Sequence, residues 1–153
     1  MTTPQFGEAQ AGRTYPDRPA AFAVIERDGL LALVQVERQG RGLVLDLPGG
    51  GIDPGETEAE AAIRECGEEA GLVVALDVAP FVRADHYFLH NDGVVRNTRG
   101  AFFVGRVTDE DASLKIEHDH TLVWLAPDEA VVRLDREAHA WAVAAWLRLR
   151  ARG

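Results

Sequence analysis

The chain has 153 residues, 46% of them hydrophobic, which predicts one domain over residues 1–153 with a sizeable core. No apolar run approaches the roughly 20 residues of a membrane span, and the opening Met-Thr-Thr-Pro-Gln-Phe lacks the charged and apolar segments of a secretory signal, so the expected location is the cytoplasm. A formal net charge of −9 argues against a general nucleic-acid binder, and a lone cysteine excludes an intrachain disulfide and a multi-cysteine zinc site.

Ala20 to Arg27 and Leu30 to Glu37 have the pattern of strands, and Asp28-Gly29 between them is a strong hairpin signal. A third strand, Leu43 to Leu47, runs into the glycine loop Pro48-Gly49-Gly50-Gly51. The next element is predicted from its punctuation. Asp53-Pro54-Gly55 is turn chemistry, Thr57 followed by Glu60 is a capping box, and Gly71 stands where a left-handed cap belongs, so a helix runs from Glu58 to Ala70. At about 100° per residue, Ala59, Ala62, Ile63, Cys66 and Ala70 form one narrow apolar face, and Glu65, Glu68 and Glu69 gather about a third of a turn away. Ala61 and Glu58 continue that acidic face upstream, the small alanine leaving room for a diphosphate.

Further strands are predicted over Val73 to Ala79, Phe81 to Leu89 and Val94 to Val107, with Asn91-Asp92-Gly93 as the last turn, and a short one over Thr121 to Leu125. Helices over Pro127 to Arg133 and Arg136 to Leu149 close the chain, the second showing Ala138, Trp141, Ala145 and Leu149 at helical spacing. This order suits an α/β sandwich with helices on both sides of a mixed sheet, and the exposed strand edges suit a homodimer.

Three like charges at i, i+3 and i+4 weaken an isolated helix, and Gly67 in its interior costs about 1 kcal/mol relative to Ala. A charge run is ordinarily a solvated face. The preceding glycine loop and the clustering shift the reading to a divalent cation, because Mg²⁺ takes oxygen ligands and is commonly held by one or two carboxylates with substrate phosphates. An anionic substrate must then be met locally by that ion and by some of Arg13, Arg18, Arg27, Arg38, Arg41, Arg83, Arg96 and Arg99. His86, Tyr87, Phe88, Asn97 and Phe103 lie on strands that can line a base pocket, although such residues are more often core or sheet surface.

Gly50, Glu56, Arg64-Glu65, Glu68-Glu69 and Gly71 stand in the order and spacing of the Nudix hydrolase signature, which this segment resembles apart from Cys66, where that family usually has Ile, Leu or Val. The flanks Arg18-Pro-Ala-Ala-Phe-Ala-Val-Ile25 and Glu117-His-Asp-His-Thr-Leu-Val-Trp-Leu125 look like those of small bacterial MutT-like members, so the resemblance covers nearly the whole chain. It implies a Nudix-type α/β/α sandwich that cleaves the diphosphate linkage of a nucleoside diphosphate derivative with Mg²⁺, Mn²⁺ being able to substitute. It implies Glu65, Glu68 and Glu69 as catalytic and metal-binding residues and the Gly49 carbonyl as a further ligand. Gly50 and Gly71 become structural positions, and Glu56 with Arg64 a pair that locks loop to helix. The base is Glu65 or Glu69, or a group from a distant loop, here Glu117 or Asp119, either of which can also serve as ligand; His118 and His120 alternate beside them. Size and flanks lean toward nucleoside triphosphates, 8-oxo-dGTP among them. The alternatives are nucleotide sugars, dinucleoside polyphosphates, a non-catalytic nucleotide sensor, and a cysteine-dependent isomerase, which the core-facing side of Cys66 disfavours.

Overall fold

Strand β2 (Asp17–Arg27) feeds two layers of core from one run of alternating side chains. Ala20, Phe22 and Val24 point into a cluster with Ala138, Ala142 and Trp146, whereas Ala23 and Ile25 pack with Cys66 and Ala70, and Ala21 with Ala61 and Ala62. Successive strand side chains face opposite sides, so helices must cover both. The computed structural model, which describes residues 2–153, has that arrangement.

The remaining strands are β1 (Gln5–Phe6), β3 (Leu30–Arg38), β4 (Gly42–Asp46), β5 (Gly49–Gly51), β6 (Leu72–Leu76), β7 (Val82–Leu89), β8 (Val95–Glu110) and β9 (His120–Leu125). The helices are α1 (Glu58–Ala70), α2 (Pro127–Arg133) and α3 (Glu137–Arg152), with a 3₁₀ turn over Ala112–Leu114. β8 pairs parallel with β2 from Asp17↔Asn97 to Ile25↔Gly105 and antiparallel with β6 and β7. β3 pairs antiparallel with β4 and β9. The sheet is therefore mixed, and the fold is the expected α/β/α sandwich.

Local chemistry explains the turns. Asp28 and Gly29 both have positive φ, 53° and 79°, as the tight hairpin between β2 and β3 requires. The capping box of α1 is formed in both directions between Thr57 and Glu60, and Gly71 closes the helix in the left-handed conformation. Phe102, 1% exposed between Phe22 and His139, is an anchor whose truncation to Ala would cost about 3–5 kcal/mol.

Several faces differ from expectation. Ile63 is 39% exposed and Ala61 is fully buried against Ala21 and Phe103, so Ala61 leaves no space for a diphosphate; the sheet meets α1 one residue round from the apolar stripe. On α3 the buried stripe is Ala138, His139, Ala142, Val143 and Trp146, while Leu149 is exposed. The three glycines after Pro48 form a short strand on β2 rather than a free loop. Among the described residues no helix is long and apolar enough to cross a membrane.

Candidate active site

The glycine strand lets α1 approach the sheet. At Gly49, with φ 148°, a Cβ would fall 2.3 Å from the Ala21 carbonyl oxygen, and at Gly50 it would fall 2.9 Å from Glu65 Oε1. The Gly49 N–H instead donates to Glu69 Oε1 at 2.9 Å. Glu69 is 5% exposed, and burial pushes its carboxyl above the ordinary range against the opposing pull of His120 and Gly49. The neighbouring Glu65 is pushed up to about 7, first by burial and then by the charge of Glu69.

Arg64 organises the outer side of this acidic group. Its Nε and Nη2 donate to Glu56 at 2.7 and 3.0 Å, Nη2 also to the Gly51 carbonyl at 3.1 Å, and Nη1 to Glu65 Oε1 and Glu68 Oε2, both at 3.0 Å. From the opposite side, the loop before β9 is fastened to α1. The N–H groups of Ile116 and Glu117 both donate to the Glu68 carbonyl, at 3.1 and 3.0 Å. Carboxylate oxygens of Glu65, Glu68 and Glu117 come within 4.8 Å of one another, and so do ligand atoms of Glu69, Glu117 and His120. His120 Nε2 lies 3.0 Å from Glu69 Oε2, and its Nδ1 lies 2.9 Å from Asp119 and 3.1 Å from Glu117. The hydrogen bond to Glu69 is the main reason its imidazole is raised to about 9.

A carboxyl raised to about 7 by burial and then by the second carboxylate beside it marks a site short of positive charge. The donor set is oxygen-rich with one imidazole, which fits a hard divalent cation.

Glu65, Glu69, Glu117 and His120 open into a cleft of about 210 Å³, whose other wall carries Arg18, Arg38, Phe88, His90 and Arg136. The family model for the NUDIX domain matches residues 16–147. The chain belongs to the Nudix family. It is 31% identical over 140 residues to an RNA pyrophosphohydrolase of Erythrobacter litoralis, covering 78% of this chain and 84% of that one. It is 30% identical over 110 residues to a CTP pyrophosphohydrolase of Escherichia coli, covering 71% and 76%. Among solved structures, a MutT Nudix hydrolase from Burkholderia pseudomallei superposes with a TM-score of 0.62 at 27% identity over 84% of this chain and 96% of that one. The protein is accordingly a MutT-like hydrolase of the pyrophosphatase class.

Within this Nudix fold the sequence-predicted residues separate. Glu65, Glu68, Glu69 and Glu117 converge, whereas the Asp119 side chain is 71% exposed and outside both clusters, and His118 is exposed. Of the candidate arginines, Arg18 and Arg38 reach the cleft. Gly51 makes space for the first, since a Cβ there would meet Arg18 Nη2 at 2.9 Å. Arg38 is committed to Asp46 and Asp135, at 2.9 and 3.3 Å. Arg27, Arg41, Arg83, Arg96 and Arg99 pair with acids elsewhere, and Arg13 bonds Gln10. His86, Tyr87 and Phe88 line an adjoining cleft of about 400 Å³, but Asn97 is tied to Gln5 and Phe103 lies in the core under α1. Sequence reasoning missed Arg136, His90 and Asp46. Each becomes part of the wall through tertiary packing, and no local spacing announces it.

Proposed function

We propose that the protein is a Mg²⁺-dependent pyrophosphohydrolase of nucleoside triphosphates, acting as a single domain over residues 1–153 in the cytoplasm. The observation that supports this most is the convergence of Glu65, Glu68 and Glu117 oxygens within 4.8 Å beside the buried Glu69. Those four residues and the Gly49 carbonyl would hold the ion, with Mn²⁺ able to replace Mg²⁺. A divalent ion bound there neutralises charge on the diphosphate and on the departing phosphate.

The chain's own groups do the rest. Arg18, which lines the cleft next to Glu65, meets phosphate oxygens. Both Glu69 oxygens are engaged, by Gly49 and His120, whereas Arg64 holds Glu65 through Oε1 and leaves Oε2 available to take a proton from water. Glu56 and Arg64 lock turn to helix. His120, placed between Glu69 and Glu117, keeps those carboxylates oriented. Oxidised guanine nucleotides such as 8-oxo-dGTP, nucleotide sugars and dinucleoside polyphosphates are competing substrates within this reading. The exposed start of the edge strand β4, carrying the 68% exposed Leu43, suits a homodimer contact, whereas Leu45 further along is bridged to Leu134. The isomerase alternative is disfavoured by Cys66, which is fully buried with its thiol pushed above the ordinary range by burial.

The test is a panel of nucleoside triphosphates, nucleotide sugars, dinucleoside polyphosphates and 5′-triphosphate RNA with Mg²⁺, following phosphate and pyrophosphate release. Turnover of triphosphates by the wild type and its loss in Glu69→Gln are expected. Tight binding of nucleotides without turnover would overturn the enzyme reading in favour of a sensor.

A further inference from the structure

His86 and Thr98 are direct partners across the antiparallel β7–β8 pair, so their side chains stand together on one face of the sheet, the face that α3 covers. Two residues further along the same face Ala84 is paired with Gly100, and Ala138 of α3 borders the same space. These three small residues leave an internal cavity beside His86, Thr98 and Arg136, and all nine residues that line it are buried. Its volume is about 10 Å³, close to the least that holds one water molecule.

His86 Nδ1, Thr98 Oγ1 and Arg136 Nε and Nη1 are all buried without a hydrogen-bond partner in the chain. Such atoms destabilise an interior unless something bonds them. A packing gap lined by hydrocarbon stays dry, whereas this one collects polar groups from β7, from β8 and from the start of α3. Their capacities also match. Arg136 only donates and the Thr98 hydroxyl does either; burial, and then the charge of Arg136, hold the His86 imidazole down to about 4, so its ring is neutral and can accept through Nδ1.

We propose that this cavity is a binding site for one water molecule, which accepts a hydrogen bond from Arg136 and donates to Thr98 Oγ1 and His86 Nδ1. Nε and Nη1 lie on different edges of the guanidinium, and Nε has Asp46 Oδ1 3.7 Å away, so Nη1 is the donor assigned to the water. His86 also lines the cleft of about 400 Å³ and Arg136 the cleft of about 210 Å³, whereas Thr98 lines neither. The water is therefore a hydrogen-bonded joint between the backs of the two cleft walls.

The experiment pairs crystallography, at a resolution that shows ordered water, with thermal unfolding of the wild type and Thr98→Val, whose side chains have nearly the same shape. One peak of density within about 2.7–3.2 Å of Thr98 Oγ1, His86 Nδ1 and Arg136 Nη1 is expected in the wild type. A dry cavity would overturn the proposal. The unfolding midpoint asks the same question in solution through its sign. A hydroxyl bonded to water is lost at a cost, so the midpoint of Thr98→Val is expected to fall by about 2–4 °C. A hydroxyl that bonds nothing is better replaced by a methyl group, so a midpoint that rises or stays unchanged would contradict the water site.

Discussion

Arg64 grips Glu56 with two hydrogen bonds, 2.7 Å from Nε and 3.0 Å from Nη2, and so joins the end of the glycine turn to the middle of α1. The same guanidinium reaches Glu65 and Glu68, which places the turn and the acidic face under one side chain.

Replacement of Arg64 by Gln removes the charge-assisted bonds and leaves Glu56, Glu65 and Glu68 without their shared cation. A stability loss of about 1.5–3 kcal/mol is expected from urea unfolding, together with a fall in kcat. Arg64→Lys keeps the charge but not the planar fork, and should recover only part of either quantity.

Gly50→Ala tests how closely helix and strand must approach. The new Cβ would lie 2.9 Å from Glu65 Oε1, so the carboxylate must shift while the backbone stays. A displacement on that scale should lower kcat by about 10- to 100-fold with little change in unfolding midpoint. Wild-type turnover in a folded Gly50→Ala protein would show that the Glu65 position is not critical.

If the acidic cluster holds a divalent ion as proposed, chelation should lower the melting temperature as well as abolish activity, since such an ion would bind the folded chain and not the unfolded one. At about 100 times its Kd the ion adds about 2.7 kcal/mol. Thermal scans with EDTA and with Mg²⁺ check this. Glu65→Gln and Glu69→Gln should each lose the Mg²⁺-induced rise, and Asp119→Asn should retain it.

His139 gives a pH dependence independent of the acidic cluster. It is fully enclosed between Phe22 and Phe102, its Nδ1 accepts the Leu47 N–H at 3.1 Å, and burial, with Arg136 adding to it, holds its pKa well below the usual imidazole value. The folded protein keeps this ring neutral while the unfolded chain protonates it below about 6.5, so its stabilising contribution is complete above that pH and declines as pH falls. The stability advantage of the wild type over His139→Leu should shrink by at most about 1.4 kcal/mol per pH unit between pH 6.5 and 5. Urea unfolding at four pH values checks it, and an advantage that stays constant with pH would contradict a neutral His139.

The parts of the fold that were legible in the sequence are those whose signals are local. The helix Glu58–Ala70 follows from Thr57, Glu60 and Gly71, and the β2–β3 hairpin from Asp28-Gly29, because caps and turns depend on neighbours a few residues away. β5 was not legible, since three glycines carry no pattern of side chains; its strand character comes from pairing with Ala20, Ala21 and Phe22. The buried face of α1 was misplaced for a related reason. Ala61 and Ile63 differ in burial according to where Ala21 and Phe103 lie, which helical periodicity does not encode.

At the site, the acids of α1 were legible from spacing, and Glu117 was separable from Asp119 only by the docking of residues 116 and 117 on Glu68. Arg136 was invisible because its depth is made by Phe22, Phe88 and Asp46 from three distant segments.

The two-sided pattern of β2 also governs which length changes the molecule can absorb. One extra residue inside Ala20–Ile25 would turn Phe22 and Val24 toward α1 and Ala21 and Ala23 toward α3, exchanging bulky and small occupants between layers sized for the opposite kind. Insertions belong instead in the exposed turn at Asn91–Gly93, where added chain leaves that phase intact.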